Sequence, residues 1–239
     1  MKLTQLLERL KYEVIQGNDK IEVTELINDS RKVSEGSVFV CITGAVSDGH
    51  QYIEEVAAKG AAAVIVEKEV EAPEGLTVIR VEDTRYALAL MSAAYFRYPA
   101  EKLKVIGITG TKGKTTTTYM VKSILEGVGH KVGLIGTIEA IIGEKCIPAN
   151  NTTPESYTIQ KYFAEMVEAG CDSVVMEVSS QGLMLHRTAG IPFEIGIFTN
   201  LGEDHIGPNE HKDFEDYKRC KGLLFKQCKI GIANVDDQW

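Results

Sequence analysis

Short apolar runs recur along the chain and alternate with stretches whose apolar positions return with helical spacing. Ala61 to Val66, Leu76 to Val81, Val105 to Ile108, Val132 to Ile135, Ser173 to Val178, Ile195 to Asn200 and Ile230 to Asn234 read as strands. Lys20 to Ile27 and Ser37 to Ile42 are strand-like, separated by the polar turn Asn28 to Arg31. Leu3 to Leu10, Gln51 to Lys59, Thr84 to Phe96, the stretch from Lys114 to about Val128, Ser156 to Ala169 and Asp213 to Gln227 carry helical periodicity. The predicted class is α/β. A small N-terminal α/β domain, residues 1–100, is followed by a doubly wound, mostly parallel sheet over 101–239, with the boundary near Pro99 to Lys102. Near-continuous apolar strands between helices imply a sheet covered on both faces, whose ligands sit at the carboxyl ends of the strands. The last strand stands almost at Trp239, so the second domain is expected to be incomplete.

Composition narrows the class. With 239 residues, 44% of them apolar, the chain can bury a sizeable core. A net charge of −8 and no basic stripe argue against nucleic acid as a partner. Five scattered cysteines without a C-x-x-C pair fit free thiols in a reducing cytoplasm. Neither a signal-peptide core nor a membrane-length apolar run is present, so a cytoplasmic protein is expected.

The chemistry begins where Val105 to Ile108 runs into Gly110-Thr-Lys-Gly-Lys-Thr-Thr116 and then a helix. Gly110 and Gly113 allow backbone N–H groups to converge on phosphate oxygens, and the helix start adds unpaired amides. Lys114 would reach the β- and γ-phosphates, and the Thr115 hydroxyl would ligate Mg²⁺. The spacing G-x-x-G-K-T is two residues shorter than the general phosphate-loop motif.

Other candidates fall at the same predicted strand ends. Glu177 closes the strand Ser173 to Val178 and suits Mg²⁺, or else is a surface charge or helix cap. Ser179 and Ser180 fit helix N-caps equally well. His205, after Thr199-Asn-Leu201 and beside Asp204, reads as a second metal ligand or as a satisfied polar residue. His211 carries no such support. Asn151-Thr-Thr-Pro154 suits an anionic substrate or simply starts a helix; Lys221 and Arg187 read by themselves as solvated cations.

Taken together, these segments resemble the Mur ligase superfamily, and within it the tripeptide synthetases that add the third residue of the peptidoglycan stem peptide. The matching stretches are Gly110 to Thr116, Asn151 to Pro154, Glu177-Val-Ser-Ser180 with Gly182-Leu183, His186-Arg187, Thr199 to Leu201 with Asp204-His205, Lys221 with Leu224-Phe225, and Asn234 to Asp237. In the first domain, Asp29-Ser-Arg31, Gly36 with Phe39-Val40, and Asp48-Gly49 match a uridine-nucleotide-binding domain. The short loop is the form this superfamily uses.

The resemblance implies an ATP-dependent amide ligase. Gly110, Thr111, Lys112, Gly113, Lys114, Thr115 and Thr116, with Asn234, would hold ATP. Ser30, beside the Ala45 to Ser47 loop, would contact the uridine diphosphate. Asn151, Thr152, Thr153, Ser179 and Arg187 would bind UDP-N-acetylmuramoyl-dipeptide. Glu177, His205, Thr115 and Lys221 would hold Mg²⁺, with Lys221 carbamylated by CO₂ and acting with Lys114 in catalysis. At ~4 Å and an effective dielectric of ~20, each pair of unit charges interacts by about 4 kcal/mol, so an unmodified Lys221 would repel the ion it should hold. The partners implied are the UDP-sugar dipeptide and a free amino acid, with no nucleic acid and no membrane, and the protein is expected to be a monomer.

Lys112 stands where the family commonly has asparagine. His205-Ile-Gly-Pro-Asn-Glu-His211 departs from the usual pattern and lengthens the approach to Lys221 by two residues. Family members carry a third domain that selects the amino acid, and a chain ending at Trp239 would lack it and be inactive alone. A non-catalytic nucleotide-binding module and a folylpolyglutamate-synthetase-like ligase are the competing readings. Asp29-Ser-Arg31 and Glu177-Val-Ser-Ser180 disfavour the latter.

Overall fold

The computed structural model describes residues 1–44, 47–204, 206–207 and 210–238. Its contacts divide the chain into two units, Met1–Tyr95 and Phe96–Trp239. The division precedes Pro99 because Ala100 and Leu103 are buried in the core of the second unit.

In the first unit, α1 (Leu3–Leu6), β1 (Glu13–Gln16), β2 (Leu26–Ile27), β3 (Val38–Val40), α2 (Ile53–Ala58), β4 (Ala63–Val66), β5 (Thr77–Arg80) and α3 (Thr84–Tyr95) follow in order. Among the described residues they build a five-stranded sheet, β1-β5-β4-β3-β2, parallel except for the β1–β5 pair. Phe39, Val64 and Val78 pack with Ile53 and Val56 of α2 to form a core. The strand expected over Lys20 to Ile27 shrinks to Leu26–Ile27, and β1 is an additional edge strand with Val14 and Ile15 exposed.

The second unit contains β6 (Lys104–Thr109), α4 (Lys114–Gly127), β7 (Val132–Ile135), β8 (Glu139–Ile142), β9 (Lys145–Pro148), α5 (Ser156–Glu168), β10 (Ser173–Glu177), α6 (Ser180–Met184), β11 (Phe193–Phe198), α7 (Phe214–Gly222) and β12 (Cys228–Ala233). The sheet order is β12-β11-β6-β10-β7-β8-β9, with β12 through β7 parallel and the last two pairings antiparallel. The hairpin β8–β9 was not expected. Its two-residue turn, Gly143-Glu144, has Gly143 at φ +58°, the sign such turns require. The helix expected to run to Gln227 ends at Gly222 and continues as a 3₁₀ turn over Leu223–Lys226.

Strand alternation places two cores on the two faces of this sheet. Val105, Val174 and Met176 face Ile159, Phe163 and Met166 of α5, whereas Ile106, Ile108 and Val175 face Val121 and Leu125 of α4. Glu177 therefore lies on the α4 face, two residues beyond Val175. At Gly107 a Cβ would come within 2.7 Å of the Phe193 ring and 3.0 Å of Leu224. Gly107→Ala is expected to destabilise the second unit by about 1–3 kcal/mol through overpacking of the central strand. A melting temperature unchanged from the native chain would contradict this packing.

Candidate functional site

The carboxyl ends of β11, β6, β10 and β7 form one rim, and the functional side chains gather there. β6 delivers Gly110 (φ +145°), where a Cβ would collide with Thr199 Oγ1 at 2.0 Å. The loop is clamped by the end of β11. Asn200 accepts from the Lys112 N–H (2.9 Å) and donates to the Lys112 carbonyl (3.0 Å), and the Thr199 hydroxyl donates to the same carbonyl (2.8 Å). Thr111 N–H donates to Asn200 O, and the Thr111 side chain turns inward onto Gly202 and Tyr217. The amides of Thr111 and Lys112 are thus engaged within the protein. Those of Lys114, Thr115 and Thr116 precede the first intrahelical bond, from Thr117 N–H to Gly113 O, and supply the anion-binding end of α4. Lys112 is largely exposed and pairs with Asp204 at 3.1 Å.

Two lysines converge on one carbonyl. Lys114 Nζ donates to Gly110 O (2.8 Å) and to Thr111 O (3.1 Å), and Lys221 Nζ donates to Gly110 O at 2.8 Å. Lys221 is only 1% exposed, its amine 4.5 Å from the centre of the Tyr217 ring. Burial and, secondarily, the Lys114 charge push its pKa down to about 7, although Asp204 opposes the shift. Burial also lowers the Lys114 pKa, with Glu177 and Asp204 offsetting part of the effect.

Glu177 is 1% exposed, and its hydrogen-bond partners are neutral. The N–H and hydroxyl of Thr137, just past β7, donate to its two oxygens at 2.9 and 3.0 Å. The Thr137 hydroxyl also lies 3.0 Å from that of Thr152. A buried carboxylate whose side-chain donors among the described residues are neutral suits a cation. Thr153 donates to Glu177 O and accepts from the Ser179 N–H, while Ser179 caps α6 by accepting from the Gly182 N–H. Arg187 binds Thr153 O (3.0 Å) and Glu155 (2.6 Å), and its buried Nε has no partner among the described residues.

These groups line a single cleft of about 160 Å³: Lys114, Asn151, Thr152, Thr153, Ser179, Arg187 and Lys221, together with Glu210 and His211. Neither Lys221 nor Arg187 is the solvated cation that local sequence suggests. His211, given no role in the sequence reading, is 1% exposed and faces this cleft; a histidine shortly before a polar helix carried no local signal of burial. Thr137 and Tyr217 were also missed, the former discoverable only as the residue that follows an apolar strand. His205 lies outside the described residues, as do Ala45 and Val46 of the loop expected beside Ser30. Asn234 follows β12, donates to Phe198 O and accepts from Asp236, and is not among the residues lining the cleft.

Ser30 belongs to a separate, open groove of about 710 Å³ within the first unit, lined also by Arg31, Lys32, Phe39, Ser47 and Tyr52. Asp29 caps the Ser30–Lys32 turn and binds the Arg31 side chain, which holds its carboxyl at about 2, well below the ordinary carboxylate range.

A parallel sheet whose central strand feeds a glycine-bearing Lys-Thr loop into a helix defines a P-loop nucleotide-binding α/β domain. Residues 108–239 match the Mur ligase middle domain and residues 22–96 match the Mur ligase family catalytic domain. The chain belongs to the Mur ligase family. Similar curated proteins include UDP-N-acetylmuramoyl-L-alanyl-D-glutamate–2,6-diaminopimelate ligases of Clostridium acetobutylicum (50% identity) and Clostridium perfringens (49%), each aligned over all of this chain and 49% of the relative. A solved structure of a ligase with that name superposes with a TM-score of 0.82 at 26% identity, over all of this chain and 48% of the other. The MurF ligase of Thermotoga maritima in complex with ADP shares the fold, with a TM-score of 0.56 at 24% identity over 90% of this chain and 46% of its own. The chain spans about half the length of the curated relatives it matches. Among the described residues, no helix is long and apolar enough to cross a membrane.

The lowered Lys221 pKa has a thermodynamic consequence. Between a folded-state value of about 7 and the ordinary lysine value of about 10.4, the unfolded chain holds a proton that the folded chain lacks. Stability contributed by this site must therefore rise with pH across that window, by at most about 1.4 kcal/mol per unit. Measured by urea unfolding in metal-free, CO₂-depleted buffer, the native chain should gain stability relative to Lys221→Met between pH 7 and 10. Parallel pH profiles would show that Lys221 is not buried as described.

Proposed function

We propose that this chain provides the UDP-sugar-binding and ATP-binding parts of a UDP-N-acetylmuramoyl-L-alanyl-D-glutamate–2,6-diaminopimelate ligase of peptidoglycan synthesis. The observation that carries the proposal is the convergence of Lys114 and Lys221 on Gly110 O, in the cleft also lined by Thr152, Thr153, Ser179 and Arg187. The names of the relatives supply the amino acid; the cleft supports the chemistry.

Residues 1–100 would bind the uridine diphosphate, with Ser30, Arg31 and Lys32 as donors and Phe39 and Tyr52 as apolar walls of the groove. Residues 101–239 would bind ATP on the first-turn amides of α4, with Lys114 swinging from Gly110 O to the transferring phosphoryl group. Asn151, Thr152, Thr153, Ser179 and Arg187 would hold the peptidyl end. The terminal carboxylate attacks the γ-phosphorus to give an acyl phosphate and ADP. The amine of the incoming amino acid then displaces phosphate, forming the amide and losing a proton.

Mg²⁺ fits the buried, neutrally satisfied Glu177, with Thr115, His205 and a carbamylated Lys221 as further ligands; when bound, it would neutralise charge on the phosphates. A lysine whose pKa lies near 7 holds much of its amine neutral, the form that adds to CO₂ with loss of a proton. A carbamate would turn a buried cation beside Lys114 into an anion that pairs with it. A cytoplasmic monomer is the accompanying expectation.

Calorimetry with UDP-N-acetylmuramoyl-L-alanyl-D-glutamate tests the reading. Ser30→Ala and Thr152→Ala should each weaken binding about fivefold to tenfold, the loss of one hydrogen bond. Lys114→Ala should remove ATP binding while leaving the UDP-sugar affinity near that of the native chain. Equal affinities for the peptidyl nucleotide in the native chain, Ser30→Ala and Thr152→Ala would overturn the substrate assignment.

A further inference from the structure

His211 is 1% exposed, lines the cleft, and has Nε2 buried with no hydrogen-bond partner among the described residues. A buried polar nitrogen left unmatched costs free energy comparable to a lost hydrogen bond, so a native fold that keeps one calls for an explanation. The ring is nonetheless held firmly. Its Nδ1 lies 3.1 Å from Asp216 Oδ2, and the other oxygen of that carboxylate accepts from Arg219 at 2.7 Å. The ring packs edge-on against Tyr217, with centroids 5.2 Å apart. Gly207 N–H donates to His211 O, and Glu210 N–H donates to Gly207 O.

A metal does not account for this arrangement. His211, Asp216 and Cys220 present ligand atoms within 4.8 Å of one another. The Arg219 guanidinium already occupies the cation's role there, 2.7 Å from Asp216 Oδ1 and 3.4 Å from Cys220 Sγ. With Asp216 ionised by that pairing, its carboxylate can only accept, so Nδ1 carries the ring proton. With the proton on Nδ1, Nε2 of the neutral ring carries a lone pair, and the residue that bears it lines the cleft. Its complement is an N–H donor. α6 packs against α7, which places the lead-in to α7 beside Ser179 to Gln181, on the side of the cleft that holds the peptidyl groups.

We propose that His211 is a substrate-binding residue whose Nε2 accepts a hydrogen bond from an amide N–H of the peptidyl nucleotide, with Asp216 and Arg219 fixing the tautomer and the ring. The assignment rests on the proposed function and adds a contact to it. Among the described residues Nε2 is an unmatched acceptor, on a residue that lines the same cleft as Thr152, Thr153 and Ser179, the groups that would hold the peptidyl end.

The test is ring-nitrogen NMR of the native chain, with the His211 signals assigned by their loss in His211→Asn. Saturating UDP-N-acetylmuramoyl-L-alanyl-D-glutamate should shift Nε2 and leave Nδ1 protonated. UDP-N-acetylmuramate, which lacks the dipeptide, and ATP alone should leave Nε2 in place. His211→Asn should bind the dipeptide nucleotide about fivefold to tenfold more weakly. An Nε2 signal unmoved at saturation, or one moved by ATP or by UDP-N-acetylmuramate, overturns the proposal while the ligase reading stands. A native chain that does not bind the dipeptide nucleotide at all removes both.

Discussion

The site depends on the carbonyl of Gly110. One backbone oxygen accepts from two lysines, the buried Lys221 and the half-buried Lys114, each at 2.8 Å, and the two come from opposite ends of the domain's sequence. Burial of Lys221, and after it the nearby Lys114 charge, disfavour the ammonium form there and lower its pKa to about 7. The carbonyl reaches both because Gly110 adopts a backbone conformation closed to other residues, with Thr199 filling the space a Cβ would need. A ligand that brings negative charge to this point relieves the strain between the lysines. The cleft is therefore organised for anions before any arrives.

The surrounding rim follows from the parallel sheet. Four adjacent strands end side by side, so residues distant in sequence, Thr137, Gly110, Glu177 and Thr199, arrive within reach of one another. Period-two alternation sends Glu177 to the α4 face, where the phosphate loop lies. The loop itself is held from the β11 side by Thr199 and Asn200. Rigid elements thus carry Lys114, Glu177 and Lys221, and connecting segments bring Thr152, Arg187 and His211 to the same cleft as the two lysines.

Second interactions around the cleft point the same way. Ser179 caps α6, and Thr153 bridges the end of β10 to the start of that helix. Both residues build the local backbone and also line the cleft. Lys112, by contrast, leaves the nucleotide loop for Asp204 and solvent.

What the chain determined by itself was local. Apolar runs fixed β4, β5, β6, β7, β10 and β12 to within a residue or two, and the order strand, Gly-rich turn, Lys-Thr, helix identified the phosphate loop. The weak elements escaped: β1 is an exposed edge with little apolar alternation, and β8–β9 depend on a two-residue turn with a single glycine. Burial of charge was not legible either. Lys221 sits on a helix polar enough to look solvated, and His211 in a polar turn, yet both are 1% exposed. Only tertiary structure decided that, because the environment of a charged side chain is set by which face of its helix meets the sheet edge and by partners more than a hundred residues away, such as Gly110 for Lys221.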